Sequence, residues 1–267
     1  MLSLGVALIA GLALSLTTAP AAFAGGPFSD WAAIVVAGDW HAHSGDPSEV
    51  FDNARRDLTK AFVSAGFSPA NISQFSVRPE HYPKETVLKS APESIHDRLL
   101  ALSKQAPGGC LIYFTSHGAP TGVVLGDRIW DHASIGQFVD EVCASRPTVI
   151  VVSACFSGVF TDALDGPNRM VMTAARPDRT SFGCGQADHY TYYDGCFLQS
   201  MAQTHDFANL AVATRECVAR QEIATHADPP SEPQISIGAQ LRPMLPLYTF
   251  QAPPGHTLAS AKTSSNP

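Results

Sequence analysis

Short apolar segments alternate with stretches of helical periodicity along most of this chain. The apolar segments are four to eight residues long and end at Gly or at polar residues, a pattern typical of strands that are buried on both faces of a sheet. They predict six strands: Trp31–Gly38, Ile72–Val77, Cys110–Thr115, Thr148–Val152, Arg169–Ala174 and Gln234–Gly238.

Between these strands, apolar residues recur every three or four positions, which indicates amphipathic helices. The first helix has clear signals, with Asp46 as its cap, Pro47 in its first position and Gly66 at its end. Further helices are predicted at Pro92–Gln105, Ser134–Ala144, Cys196–Thr204 and Leu210–Thr225. This alternation predicts an α/β fold, with a mostly parallel sheet of about six strands and helices on both faces.

The two ends of the chain differ from the rest. Leu4–Thr17 is uncharged and apolar but shorter than the roughly 20 residues that cross a bilayer, and Ala22-Phe23-Ala24 suits a signal peptidase. We therefore expect a signal peptide at 1–24, export to the periplasm or medium, and no stable membrane insertion after cleavage. An uncleaved anchor is the alternative. One folded domain should occupy 25–251, and the Pro-, Ser- and Thr-rich tail at 252–267 should be disordered.

Composition excludes several partners. The net charge of −7 is spread along the chain without a basic stripe, so neither nucleic acid nor an anionic membrane surface is expected to bind. His41 and His43 form a His-x-His pair, but no Cys-x-x-Cys and no second histidine pair accompanies them. We expect no metal and no cofactor.

The chain contains six cysteines, and export would place them where disulfides persist. If one remains a free thiolate, five are left, so at least one more should be unpaired. Cys110 and Cys143 fall on apolar positions of predicted elements and are expected to be buried free thiols. Cys184 and Cys196 are near loops and are candidates for a bridge, although sequence alone does not fix the connectivity.

Two segments place reactive side chains directly after predicted strands. His117 and Gly118 follow the third strand, and Cys155 follows the fourth, 38 residues later and separated by one helix. If the two strands are parallel neighbours, imidazole and thiol meet at one edge of the sheet, where such folds bind ligands. A histidine can then activate the thiol, and the amides of Gly118 and Cys155 can stabilise an oxyanion. A structural Cys155 and a loop His117 without a role are the simpler alternatives.

The same segments resemble the peptidases of the caspase-like clan, and the legumain family (C13) in particular. The resemblance covers about 31–204 and rests on the ordered set Trp31–Trp40, Ile112–Gly118, Ala154–Gly158 and Val171–Phe182. It implies a caspase-like three-layer sandwich, a catalytic dyad of His117 and Cys155, and a polypeptide substrate. Asparaginyl specificity is not implied, because the legumain pocket uses an Arg after the first strand and Asp39–Ser44 contains none.

Other polar residues near the two strand ends are candidates for the substrate pocket. Asp39 could orient His117 or line the pocket, and the further candidates are Ser153, Thr180, Ser181 and Asp194. For Asp194, helix capping is an equally good interpretation. The expected activity is endopeptidase hydrolysis. Transamidation by the same dyad and an inactive binding protein with this fold remain alternatives, and the sequence does not determine the oligomeric state.

Overall fold

A computed structural model describes residues 25–251 of the chain, so the expected signal peptide and tail lie outside the described residues. The strands are β1 (Trp31–Ala37), β2 (Ile72–Ser76), β3 (Val87–Lys89), β4 (Gly109–Thr115), β5 (Gly118–Ala119), β6 (Gly122–Leu125), β7 (Arg128–Asp131), β8 (Thr148–Ser153), β9 (Arg169–Thr173) and β10 (Gln234–Ile237). The helices are α1 (Val50–Ala65), α2 (Pro92–Gln105), α3 (His132–Cys143), α4 (Phe160–Ala163), α5 (Tyr192–Met201) and α6 (Phe207–Thr225). Within this range no helix is both long and apolar enough to traverse a bilayer.

A seven-stranded sheet in the order β10-β9-β8-β4-β1-β2-β3 forms the middle of the fold. Six of its strands are parallel and only β10, at one edge, is antiparallel. The predicted α/β class with a mostly parallel sheet is confirmed. The additional strand, β3, has three residues at the opposite edge, which is too short to produce a periodic signal in the sequence. A separate antiparallel sheet, β5-β6-β7, follows the end of β4.

The side chains of the central strands alternate between two apolar cores. Trp31, Ala33 and Val35 of β1 belong to a core shared with α1, α5 and α6. The intervening residues Ile34 and Val36 belong to a second core, shared with α2, α3 and α4. Because successive residues of a strand point to opposite faces, a fully apolar strand requires cover on both sides. The result is the predicted three-layer sandwich.

The first helix begins later than the sequence signals indicated. Glu49 occupies the cap position and α1 starts at Val50, so the predicted start at Pro47 is wrong. The preceding residues are held as a loop, because Pro47 forms a bridge with His41 and the Ser48 amide donates to the Trp40 carbonyl at 2.8 Å. These tertiary hydrogen bonds satisfy backbone N–H and C=O groups that would otherwise be paired within an additional helical turn. The predicted end of the helix at Gly66, which is left-handed, is confirmed.

The cysteine expectations are also corrected. Cys110 of β4 and Cys143 of α3 form a disulfide rather than two free thiols, and Cys196 pairs with Cys217 rather than with Cys184. Cys110 lies on the face of β4 that α3 covers, which brings it to the end of that helix. The second disulfide joins α5 to α6. Helix packing therefore decides both pairs.

Arg55 forms a buried ionic junction between α1 and the far edge of the sheet. Its side chain is fully buried, and it donates to the carboxylate of Asp52 at 2.7 Å, to the side-chain oxygen of Gln74 at 2.6 Å and to Glu85 at 2.9 Å. Gln74 belongs to β2, and Glu85 precedes β3. The guanidinium thus joins the helix to the short edge strand.

Replacing Arg55 should be strongly destabilising. Removing one partner of a buried ion pair leaves an uncompensated charge, so Arg55→Met should lower the free energy of unfolding by about 3–5 kcal/mol. Urea unfolding followed by circular dichroism measures this. The control is Lys60→Met on the same helix, which breaks an exposed pair with Asp57 and should cost less than about 1 kcal/mol. Equal losses in the two variants would contradict the structural role of Arg55.

Candidate active site

The pairing of β4 with β8 brings His117 and Cys155 to the same rim of the sheet. The two strands are parallel and in register, with Thr115 opposite Ser153. His117 and Cys155 each follow two residues later. The contact is close: a Cβ built on Gly118 would lie 2.0 Å from the carbonyl oxygen of Cys155, so only glycine fits there. The expectation that these two strands are parallel neighbours is confirmed.

A tight turn presents the Cys155 thiol at the end of β8. Phe156, the next residue, is left-handed with φ 58°, a conformation that costs a non-glycine residue about 1–2 kcal/mol. Its amide is held by the carbonyl of Arg179 at 2.7 Å. The Cys155 amide has no acceptor among residues 25–251. This free N–H is what an oxyanion site requires.

The loop after β9 covers the sulfur. The Ser181 amide donates to Cys155 Sγ at 3.3 Å, and the Ser181 hydroxyl lies 3.6 Å from the same atom. Thr180, the adjacent candidate, is exposed at the mouth of the site. In the described part of the chain, Sγ shares hydrogen bonds with Ser181 and none with His117.

A backbone carbonyl fixes the orientation of the His117 ring. His117 Nε2 lies 3.0 Å from the carbonyl oxygen of His41, which can only accept, so Nε2 carries the proton in this bond. The edge-to-face ring of Phe51, with centroids 5.1 Å apart, supports the imidazole from the side. In the neutral ring the other nitrogen, Nδ1, is therefore left with a lone pair that can accept a proton.

Asp39 holds the peptide that carries this carbonyl. Its Oδ1 accepts from the Trp40 amide at 2.6 Å, from the His41 amide at 3.0 Å and from His41 Nδ1 at 2.7 Å. Asp39 is nearly buried. Three donors on one oxygen leave the loop little freedom, so Asp39 reaches His117 indirectly, through the His41 carbonyl.

Two of the predicted pocket residues lie beneath the site rather than in its wall. Asp194 is fully buried and accepts from Tyr113 at 2.8 Å and from Thr115 at 2.6 Å. Ser153 is also buried, with its hydroxyl 3.3 Å from that of Thr191. Thr191 caps α5 by accepting from the Asp194 amide at 3.0 Å. This group ties α5 to the ends of β4 and β8.

An open cavity of about 580 Å³ lies beside the imidazole. It is lined by His41, Ala42, His43, Gly45, His117 and Gly118. Within 25–251, no three His, Cys, Asp or Glu side chains are grouped as a metal ion would require. The cavity thus gives access to the imidazole of His117 and to the backbone at Gly118.

Comparison with protein-family models assigns the chain to a family. Residues 52–226 match the Peptidase C13 family, and this range includes both His117 and Cys155. The chain belongs to the Peptidase C13 family. No curated protein matches the chain.

The C13 assignment agrees with a likeness in fold. Among solved structures, the crystal structure of caspase-1 from Spodoptera frugiperda is similar with a TM-score of 0.56, covering 86% of this chain and 94% of that chain. The identity is 14%, so this likeness concerns the fold alone. The predicted family and the caspase-like fold are both confirmed.

Two parts of the C13 site were not expected from the sequence. The His41 carbonyl is a backbone group, and no residue type signals that role. Cys184 lies in the loop that covers the sulfur, and it is the second free thiol in the described structure. The only signal of this in the sequence was the even number of cysteines. If Cys155 is free, five cysteines are left, and at least one of them must also be unpaired.

The protonation of Asp194 should make stability depend on pH. Burial raises the pKa of Asp194 above its ordinary value of 3.8, against the opposing hydrogen bonds of Thr115 and Tyr113. A carboxyl with a raised pKa stabilises the fold most at low pH, and this contribution is lost as pH rises from 3.8 through the folded-state pKa. The free energy of unfolding of the natural chain should therefore fall over that range relative to Asp194→Asn, as measured by urea titrations. A constant difference between the two proteins would contradict the raised pKa.

Proposed function

We propose that this C13 chain is a cysteine endopeptidase that cleaves polypeptides through an acyl-thioester on Cys155. The observation that supports it best is the rim arrangement, with a partly exposed thiol and an oriented imidazole on neighbouring strand ends. Membership of a peptidase family supports a polypeptide substrate. The amides of Cys155 and Gly118 are the proposed oxyanion donors.

The proposed reaction uses His117 twice. The thiol proton passes to Nδ1 of His117, and the thiolate attacks the carbonyl carbon of the scissile peptide bond. The amide donors bind the oxyanion, and collapse of the intermediate expels the amine, which takes the proton from the imidazole. Water then gives a proton to His117 and attacks the thioester. The C–S bond breaks, the acid is released, and the imidazolium returns the proton to the Cys155 sulfur.

The proposed dyad is tested with paired variants. Cys155→Ala should abolish cleavage of a peptide library, and His117→Ala should lower kcat/KM by about 10²–10⁴-fold because general acid–base catalysis is lost. Mass spectrometry identifies the cut sites, any ligated products and the site of labelling by a peptidyl acyloxymethyl ketone.

The controls separate the alternatives. The control variant Ser236→Ala lies in the edge strand β10 and keeps all the proposed catalytic groups, so it should cleave peptides as the natural chain does. Ligated products in place of free acids would favour transamidation. A native Cys155 that resists the ketone, although the unfolded chain reacts with small alkylating reagents, would favour a binding protein and overturn the proposal.

Asp39 is proposed as a positioning residue. Asp39→Ala removes the acceptor that holds the peptide at His41, so the His117 ring loses its fixed partner. Misplacement of a catalytic group by about 1 Å can cost roughly 10²-fold, so we expect kcat to fall by about 10–100-fold with KM little changed. Asp39→Asn keeps one oxygen acceptor for the two amides and should restore much of the rate. Identical kinetics for both variants, whether at the natural rate or at the reduced one, would argue against this role.

A further inference from the structure

Only two of the six cysteines are unpaired. One is Cys155, and the other lies in the loop after β9 that covers the Cys155 sulfur. The six all lie in the described range, where Cys110 pairs with Cys143 and Cys196 with Cys217. Cys155 and Cys184 remain as free, partly exposed thiols. Proposed catalysis uses Cys155 and gives Cys184 no role, so the placement of the second thiol needs its own explanation.

Cys184 is held close to the proposed nucleophile by the covering loop. It follows Ser181 by three residues, and the Ser181 amide bonds directly to Cys155 Sγ at 3.3 Å. The Cys184 carbonyl accepts from the His43 amide at 3.0 Å. Its side chain packs against a small apolar cluster of Ala37, Val50 and Phe51, and Phe51 supports the His117 ring. The second thiol is therefore part of the immediate surroundings of the first.

The environment of Cys184 favours its protonated form. Burial raises the pKa of Cys184 to about 11, and the negative charge of the Cys155 thiolate adds to this effect. A protonated thiol is a poor nucleophile and reacts slowly with oxidants. The contribution from Cys155 disappears once that sulfur becomes neutral, whereas the contribution from burial remains. Cys184 therefore resists direct oxidation, whereas a sulfenic acid at Cys155 is an electrophile with which a nearby thiol condenses.

Glycines flank Cys184 on both sides. Gly183 is left-handed with φ 84°, and Gly185 follows directly. A disulfide requires Cα atoms about 4.4–6.8 Å apart. Glycine backbones adopt more conformations than other residues, so they lower the backbone cost of a local shift that links Cys184 to Cys155.

We propose that Cys155 and Cys184 form a reversible disulfide when a peroxide oxidises the site, which makes this pair a redox modification site. The inference rests on the proposed reactivity of Cys155. Cys155 gives its proton to His117, and the thiolate attacks one oxygen of the peroxide, so that the O–O bond breaks and the sulfur becomes a sulfenic acid. The other oxygen leaves as hydroxide or alkoxide and takes up the proton to give water or an alcohol. Cys184 sulfur then displaces the hydroxyl group, and its proton leaves with that group as water. The linked form has no nucleophile, and it is protected from irreversible oxidation to sulfinic acid.

The experiment treats the full chain with hydrogen peroxide. Digestion without reduction, followed by mass spectrometry, should give a linked peptide containing Cys155 and Cys184, lighter by two hydrogens than the reduced pair. Peptidase activity should fall and return with dithiothreitol. In Cys184→Ser, measured relative to its own untreated sample, the loss should persist because Cys155 proceeds to sulfinic acid; recovery should be roughly tenfold lower.

Two controls identify the source of the effect. Cys155→Ser should leave Cys184 reduced after peroxide, as shown by alkylation of the denatured protein, because a protonated thiol reacts slowly with oxidants by itself. A double Cys196→Ser/Cys217→Ser variant removes cysteines elsewhere and should recover as the natural chain does. If Cys184→Ser fails to fold, the linked peptide in the natural chain remains the deciding measurement.

The outcomes separate this inference from the proposed function. An active peptidase in which peroxide converts Cys155 to sulfinic acid without a linked peptide would overturn the redox site and leave the peptidase proposal. A chain that forms the link but cleaves no peptide would support the redox site and refute hydrolysis.

Discussion

The in-register pairing of β4 with β8 is the constraint on which the site depends. Thr115 and Ser153 lie opposite each other, so the residues two positions further on, His117 and Cys155, leave the sheet on the same face. A slip of one residue would send one of the two side chains to the other face. Apolar cores on both faces of the sheet prevent such a slip, because each strand residue is buried on its own side. Core packing thereby sets the geometry of the reactive groups.

Polar groups beneath and beside the rim hold the strand ends and the His117 ring in place before a substrate binds. Asp194 joins the ends of two strands to α5 from below, and Asp39 fixes the carbonyl that orients His117. Both carboxylates act through hydrogen bonds to protein groups rather than through open faces. Preorganisation of this kind is favourable for catalysis, because the donors and acceptors need no rearrangement when charge develops.

The loop after β9 contributes three residues to the surroundings of the Cys155 thiol. Arg179 anchors the strained turn at Phe156, Ser181 donates to the sulfur, and Cys184 supplies the second thiol. Gly158 also meets this segment, since a Cβ there would lie 2.4 Å from Pro177. A single short loop thus supplies the hydrogen bonds to Cys155 Sγ and carries the second free thiol of the described structure.

The sequence by itself determined the fold class, because apolar runs alternating with helical periodicity are local patterns that favour a mostly parallel sheet covered on both faces. The family followed from the resemblance of four ordered motifs. The sequence also located His117 and Cys155, since residues that follow buried parallel strands collect at one edge. Tertiary structure alone decided the disulfide partners, the late start of α1 at Val50 and the short strand β3. It also decided that Asp194 is a buried tie, that Asp39 acts through His41, and that Cys184 adjoins the thiol. These features arise from contacts between segments far apart in the chain, and neither residue type nor spacing encodes which segments will meet.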